Sequence, residues 1–141
     1  MVEIKKFRFK DENLMKKAHK IRHEVFVIGQ NCPEELEWEF EEESTHFLLI
    51  EDNTPIATAR HRKTNNGLKL ERFAVLSQAR GKGIGMLILK AILKDIKESK
   101  SLKYMHAQEQ VTPFYEKVGF EKSGDLFEEA GIMHYKMEYK A

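Results

Sequence analysis

The chain has 141 residues, and its 24 Lys and Arg against 23 Asp and Glu leave a formal net charge of +1 with histidine neutral. A composition of 41% hydrophobic and 33% charged residues with only 3 Pro excludes a disordered, collagen-like or membrane-embedded chain and fits one globular domain over residues 1–141. No apolar run approaches the roughly 18 to 20 residues that cross a bilayer. The start Met1-Val2-Glu3-Ile4-Lys5-Lys6 has no apolar signal core and the single cysteine, Cys32, cannot pair internally, so a reducing, cytoplasmic setting with no membrane partner is expected.

Val2 to Phe9 reads as a first strand, although its alternation slips at Lys5-Lys6. Asp11 is placed to cap a helix whose apolar positions Leu14, Ala18, Ile21 and Val25 recur at spacings of four and three, and which ends near Gly29. The segment Glu34 to Glu43 then holds seven Glu and no base, which leaves the rest of the chain with an excess of positive charge that favours an anionic ligand. Within it Leu36, Trp38 and Phe40 alternate with Glu35, Glu37, Glu39 and Glu41, a period of two that predicts one buried side. Thr45 to Glu51 is a buried strand, Asp52 to Pro55 a turn, and Ile56 to Arg62 a second strand. Asn65-Asn66-Gly67 turns the chain into Leu68 to Val75, completing an antiparallel meander.

From Gly81 onward the period changes: Leu89, Ile92, Leu93 and Ile96 define a helix with Lys90, Lys94 and Lys97 on its wet side. Leu102 to Ala107 is a short strand. Thr112 to Gly119 reads as a brief helix with a capping hydroxyl at Thr112, Pro113 at its first position and Gly119 at its end. Two strands close the chain, the second with Met133, Tyr135, Met137 and Tyr139 on one side and His134, Lys136 and Glu138 on the other. The predicted order is β-α-β-β-β-α-β-α-β-β, an α+β chain with helices on one sheet.

The most informative stretch is the strand Leu70-Glu71-Arg72-Phe73-Ala74-Val75, then Gln78-Ala79-Arg80-Gly81-Lys82-Gly83-Ile84-Gly85, then the helix. A helix start offers unpaired N–H groups and a partial positive charge, glycines let backbone approach phosphate oxygens, and Arg80 and Lys82 add charge at the same place. The turn lacks the spacing of a nucleotide P-loop, and it fails Gly-x-Gly-x-x-Gly because Met86 stands at the third glycine.

Gln78-x-x-Gly81-x-Gly83 after Phe73-Ala74-Val75, followed about thirty residues later by Phe114-Tyr115-x-x-x-Gly119-Phe120, resembles the GNAT superfamily of acyl-CoA-dependent N-acetyltransferases. Arg22-His23-Glu24-Val25-Phe26 in the first helix and the ending Ala130-Gly131-Ile132-Met133-His134 resemble the small single-domain bacterial members grouped as glucosamine-phosphate N-acetyltransferase-like. The resemblance implies a GNAT-like fold, a mostly antiparallel sheet with two splayed strands and helices on both faces. It implies acetyl-CoA as co-substrate, its arm along Phe73, Ala74 and Val75 with Phe114 and Tyr115 nearby, and its pyrophosphate on Arg80, Gly81, Lys82, Gly83, Ile84 and Gly85. Tyr115 matches the family's general acid.

Acetyl transfer needs a neutral amine and a proton for the departing thiolate. Glu71, alternating with Phe73 and Val75, is a candidate base or amine anchor; His106 is a second candidate base, and His134 and Arg22 candidate contacts for the acceptor, with Arg60 and Arg62 beside Arg22 for an anionic group. The acidic segment, with Glu37 and Glu39, is a further candidate for drawing in the amine. Cys32, beside Pro33, is too far in sequence from the thioester to favour a ping-pong route. No His pair at i, i+4 on a helix and no Cys cluster is present, so no metal is expected. The enzymatic reading is a transfer from acetyl-CoA to a primary amine of a small molecule in a ternary complex. Its rival is a non-catalytic acyl-CoA-binding module, which needs the glycine turn but neither Tyr115 nor Glu71. No basic face with interleaved aromatics points to nucleic acid. Tyr135, Met137 and Tyr139 are expected either to pair across a homodimer or to cover the core.

Overall fold

The computed structural model describes residues 1–30 and 39–140. Its strands are β1 (Val2–Arg8), β2 (Thr45–Glu51), β3 (Thr54–Thr64), β4 (Gly67–Val75), β5 (Lys103–Gln108), β6 (Phe120–Glu129) and β7 (Ile132–Tyr139), and its helices α1 (Glu12–Arg22), α2 (Ile84–Asp95) and α3 (Thr112–Glu116). The strands form one sheet in the order β1-β2-β3-β4-β5-β7-β6. Pairing is antiparallel for β1/β2, β2/β3, β5/β7 and β6/β7, and parallel for β4/β5. The chain forms two compact units, Met1–Arg62 with Arg72–Ser99, and Lys63–Glu71 with Lys100–Ala141.

In the first unit Asp11 caps α1 as expected, its carboxylate accepting from Leu14 N–H at 3.1 Å. Glu12 in the first turn and Lys20 and Arg22 in the last suit the helix dipole. The helical path continues through a π-turn, His23–Ile28, which buries Val25 and Phe26 and ends at Gly29. β2 is buried along Thr45–Ile50 and meets both α1 and α2. That two-sided cover explains why Phe47-Leu48-Leu49-Ile50 is a continuous apolar run and not an alternating one. Leu14, Ala18 and Ile21 of α1 share a core with Leu48 and Ile50, while α2 buries Ile84, Ile88, Leu89 and Ile92.

In the second unit β4 and β5 register at Leu68↔Lys103 and Lys69↔Tyr104, a short parallel ladder of the kind two diverging strands leave. The ladder begins where Gly67, at φ 132°, lets Leu68 N–H reach Leu102 C=O at 2.7 Å; a Cβ on Gly67 would overlap that carbonyl oxygen. The β6/β7 hairpin turns at Ala130 and Gly131, both with positive φ. Met105, Ala107 and Met137 are buried on one side of the sheet; His106, paired with Lys136, and Gln108, paired with His134, belong to the other.

Two expectations change here. Thr112 lies inside α3 and does not cap it, its hydroxyl donating to Glu109 C=O at 3.1 Å. β7 is not cleanly one-sided: Met133 is exposed and His134, expected on the wet face, is buried, because its ring stacks on Phe127 of β6 across the register Phe127↔His134. Met137 is fully buried within the single chain and Tyr139 packs on Phe120, so these two cover the core.

Candidate functional site

The glycine turn belongs to the first unit. β4 ends at Val75, a short 3-10 turn runs over Ser77–Ala79, and Gly83, at φ 76°, is the residue preceding α2 and brings no side chain to cap it. Arg80 N–H bonds Ser77 C=O at 3.3 Å, and the first helical bond, Leu87 N–H to Gly83 C=O at 3.1 Å, falls beyond the amides of Gly81 to Gly85. Gly81, at φ 82°, and Gly83 both adopt backbone that side chains resist, and a Cβ on either would enter open space. Arg80 Nε donates to Val75 C=O at 3.0 Å, and the side chains of Arg80 and Lys82 stay exposed around the turn. A helix start with glycine amides and two exposed cations suits a phosphate anion. Ala74 is buried and Phe73 and Val75 are half-buried. Between Glu71 and Phe73, Arg72 takes φ 58°, which interrupts the pleat, so simple alternation no longer puts Glu71, Phe73 and Val75 on one face.

The same unit holds a buried charge cluster. Glu41 receives Arg22 Nη1 at 2.9 Å, Arg60 Nη1 at still closer range, and His19 Nε2 at 2.5 Å. Burial by itself would raise the Glu41 carboxyl, but the His19 hydrogen bond and the charges of Arg22 and Arg60 outweigh it and hold the group at about 2. His46 donates Nε2–H to Glu41 C=O at 3.0 Å and stacks on Phe7, and burial pushes its pKa down to about 4. The end of the acidic run therefore inverts the expected pattern: Glu41 is inside, and Phe40, at φ 61°, is exposed under the Arg62 guanidinium at 3.9 Å. Glu42 and Glu43 remain exposed beside a hollow of about 480 Å³ lined also by Phe9, His19 and Phe40. Cys32, Glu34, Glu35, Leu36, Glu37 and Trp38 lie outside the described residues.

The second unit carries the proton-handling candidates. Tyr115 of α3 is buried, edge-on to Phe114 at 5.2 Å and to Phe120 at 6.1 Å, and burial pushes its phenol well above the usual range. Burial keeps this phenol protonated and makes it a weaker acid than an exposed tyrosine. Glu71 has Lys69 Nζ at 3.3 Å. His106 and His134, on different strands, both meet Glu129: His106 Nδ1 at 3.1 Å from one carboxylate oxygen, His134 Nε2 at 3.9 Å from the other. Phe127 lies edge-on to His106 at 5.0 Å and stacked on His134 at 5.9 Å.

Residues 9–141 match the family model of the acetyltransferase (GNAT) domain. The chain belongs to the GNAT acetyltransferase family. It is 37% identical over 131 residues to the uncharacterized N-acetyltransferase YjcF of Bacillus subtilis, covering 91% of this chain and 94% of that protein. Its fold is shared with an acyl-CoA N-acyltransferase from Pseudomonas aeruginosa, with a TM-score of 0.88 at 22% identity over 99% of this chain and 100% of that one. A PaiA N-acetyltransferase from Thermoplasma acidophilum, crystallised with coenzyme A, has the same fold at a TM-score of 0.68 and 19% identity, covering 100% of this chain and 99% of that one.

For this acetyltransferase the structure redraws one expected contact. Arg22, expected to face the acceptor, is 1% exposed and bound to Glu41, as is Arg60, so neither guanidinium is presented to a ligand; the physical reason is that a buried carboxylate is tolerated only with its charges matched. Two residues escaped the sequence reading. Glu41 was one glutamate among seven, and Glu129 one of a pair before a turn; only the hairpin register brings Glu129 to the histidines.

Proposed function

We propose that this GNAT enzyme transfers acetyl from acetyl-CoA to the primary amine of a small molecule, directly and in a ternary complex, in the cytoplasm. The observation that carries the reading is the glycine turn: two left-handed glycines, a helix start without a side-chain cap and two exposed cations stand together. The amides of Gly81 to Gly85, with the charges of Arg80 and Lys82, hold the pyrophosphate, and Phe73, Ala74, Val75 and Phe114 hold the arm and the acyl group. Backbone N–H groups near Phe73 and Ala74 donate to the thioester oxygen, where charge grows as the amine adds.

Tyr115 protonates the departing thiolate, a role supported by its match to the family's Phe-Tyr motif; burial makes the phenol a weaker acid, so its proton moves only as charge builds on sulfur. Glu71, already paired with one ammonium group at Lys69, anchors the ammonium of the acceptor, and His134 completes its seat. His106 takes the proton that must leave before the amine can attack. The test is calorimetric titration of the full chain with acetyl-CoA and with coenzyme A, with Gly83→Asp as the control, followed by release of coenzyme A in the presence of a polyamine, an amino sugar phosphate, an aminoglycoside and a peptide. Saturable binding lost in Gly83→Asp, with turnover on one of these amines, is expected; failure of the wild type to bind overturns the reading.

A further inference from the structure

We propose that Glu129 is a positioning residue for the transfer: by accepting the hydrogen bond from Nδ1 of His106 it fixes the tautomer whose Nε2 carries the lone pair, and so makes His106 the proton acceptor. The inference deepens the reading given under Proposed function and rests on it.

The argument begins with what each atom can do. A carboxylate accepts and does not donate, so the 3.1 Å contact between Glu129 Oε2 and His106 Nδ1 puts the ring proton on Nδ1. Glu129 is held ionised: the hydrogen bond from His106 outweighs the opposing effect of burial, with the charge of Lys69 in support. The other nitrogen of His106 takes no hydrogen bond among the described residues, and the side chain is 26% exposed. Its plane is set by Phe127 edge-on at 5.0 Å and Tyr104 at 5.9 Å.

The neighbours leave Glu129 to His106. His134 donates Nδ1–H to Ile132 C=O at 2.7 Å, so in its neutral form Nε2 bears a lone pair and cannot bond the Glu129 oxygen 3.9 Å away. On β7, Lys136 stands opposite His106 in the register but sends Nζ to Glu138 at 3.4 Å. On β4, Lys69 pairs with Glu71, which gives that carboxylate a cation already and leaves proton removal to the imidazole. The three residues His106, Glu129 and His134 are not arranged to hold a metal ion.

The chemistry balances. One proton of the acceptor's ammonium passes to His106 Nε2 and then to water. The freed lone pair attacks the thioester carbon, the C–N bond replaces the C–S bond, and a second proton from the nitrogen ends on sulfur through Tyr115. The products are an amide, coenzyme A as thiol, and one proton in solution. Glu129 stays a carboxylate throughout and stabilises the transient imidazolium.

The test reads the ring directly. Long-range proton–nitrogen correlation spectra of the nitrogen-labelled full chain, assigned with His106→Gln, are expected to show neutral His106 protonated at Nδ1. Glu129→Ala is expected to move the proton to Nε2, whereas Glu129→Gln, which keeps an acceptor oxygen of the same reach, retains the tautomer but loses the charge. Both variants are expected to lower kcat on the order of 10²-fold with KM for acetyl-CoA unchanged. Glu129 is half exposed near the hairpin end, and an unchanged dispersion of the remaining amide signals confirms that each variant is folded. A wild-type His106 protonated at Nε2, or a Glu129→Ala variant with unaltered tautomer or unaltered kcat, overturns the proposal. A wild type that transfers acetyl to none of the amines overturns the reading on which it rests and the proton-accepting role, while the tautomer, measured without either substrate, answers the positioning role separately.

Discussion

Tyr115 shows how far a single side chain can be read. Its place in Thr112-Pro113-Phe114-Tyr115 marks it in the sequence, but the burial against Phe114 and Phe120 that holds its phenol protonated belongs to the fold. Tyr115→Phe keeps the packing and removes the proton, so kcat is expected to fall on the order of 10²-fold while coenzyme A affinity, read by calorimetry, stays the same. Arg22 is the opposite case. Its charge was legible, its partner was not, because Glu41 lies 19 residues further on and Arg60 another 19, and only the fold converges them on one point. Removing the carboxylate takes from two buried guanidinium groups a counter-charge that both share. Glu41→Gln is therefore expected to cost about 3 to 5 kcal/mol in urea unfolding, far more than the same change at exposed Glu42.

Among the elements, those with a strong local signal emerged where they were expected. β2 keeps the bounds Thr45–Glu51 because its apolar run needs cover on both faces, and α1 starts at Asp11 because a carboxylate satisfies an N–H that nothing else reaches. The π-turn after α1 and the left-handed Arg72 had no local signature. Both depend on packing. β4 was legible as a strand, yet Arg72 disturbs the alternation that related its side chains. Two glycines make opposite predictions. Gly67→Ala is expected to lower stability by roughly 1 to 3 kcal/mol in thermal or urea unfolding, since its Cβ collides with Leu102 backbone. Gly83→Asp meets no neighbour but takes a left-handed φ of 76° at a cost on the order of 1 kcal/mol; the larger effect is expected in ligand binding, where a negative charge at the helix start should abolish calorimetric acetyl-CoA binding.

The molecule carries a formal charge of +1, and its pH response is set by buried groups more than by that net value. Glu41, held at about 2 against an ordinary 4.5, contributes stability that is present above pH 4.5 and is lost as pH falls toward 2. His46, pushed from 6.5 to about 4, must be neutral in the folded state, so its contribution is complete above pH 6.5 and fades as pH falls through that range. Both act in the same direction. Unfolding free energy from urea titrations is expected to be level near neutrality and to fall between pH 6.5 and 2, with the portion below 4.5 diminished in Glu41→Gln. No helix among the described residues is long and apolar enough to cross a membrane.

The glycine turn, the strand before it and the Tyr115 helix were decided by local chemistry: left-handed backbone requires glycine, helix starts attract anions, and periodicity marks what is buried. These suffice for the family and for the turn on which acetyl-CoA is proposed to bind. The pairing of Glu129 with His106, the diversion of Arg22 and Arg60 onto Glu41, and the burial of His134 belong to the tertiary structure. Each depends on strand register or on charges brought together from distant parts of the chain, and a side chain's hydrogen-bonding partner in space leaves no trace in its neighbours along the sequence.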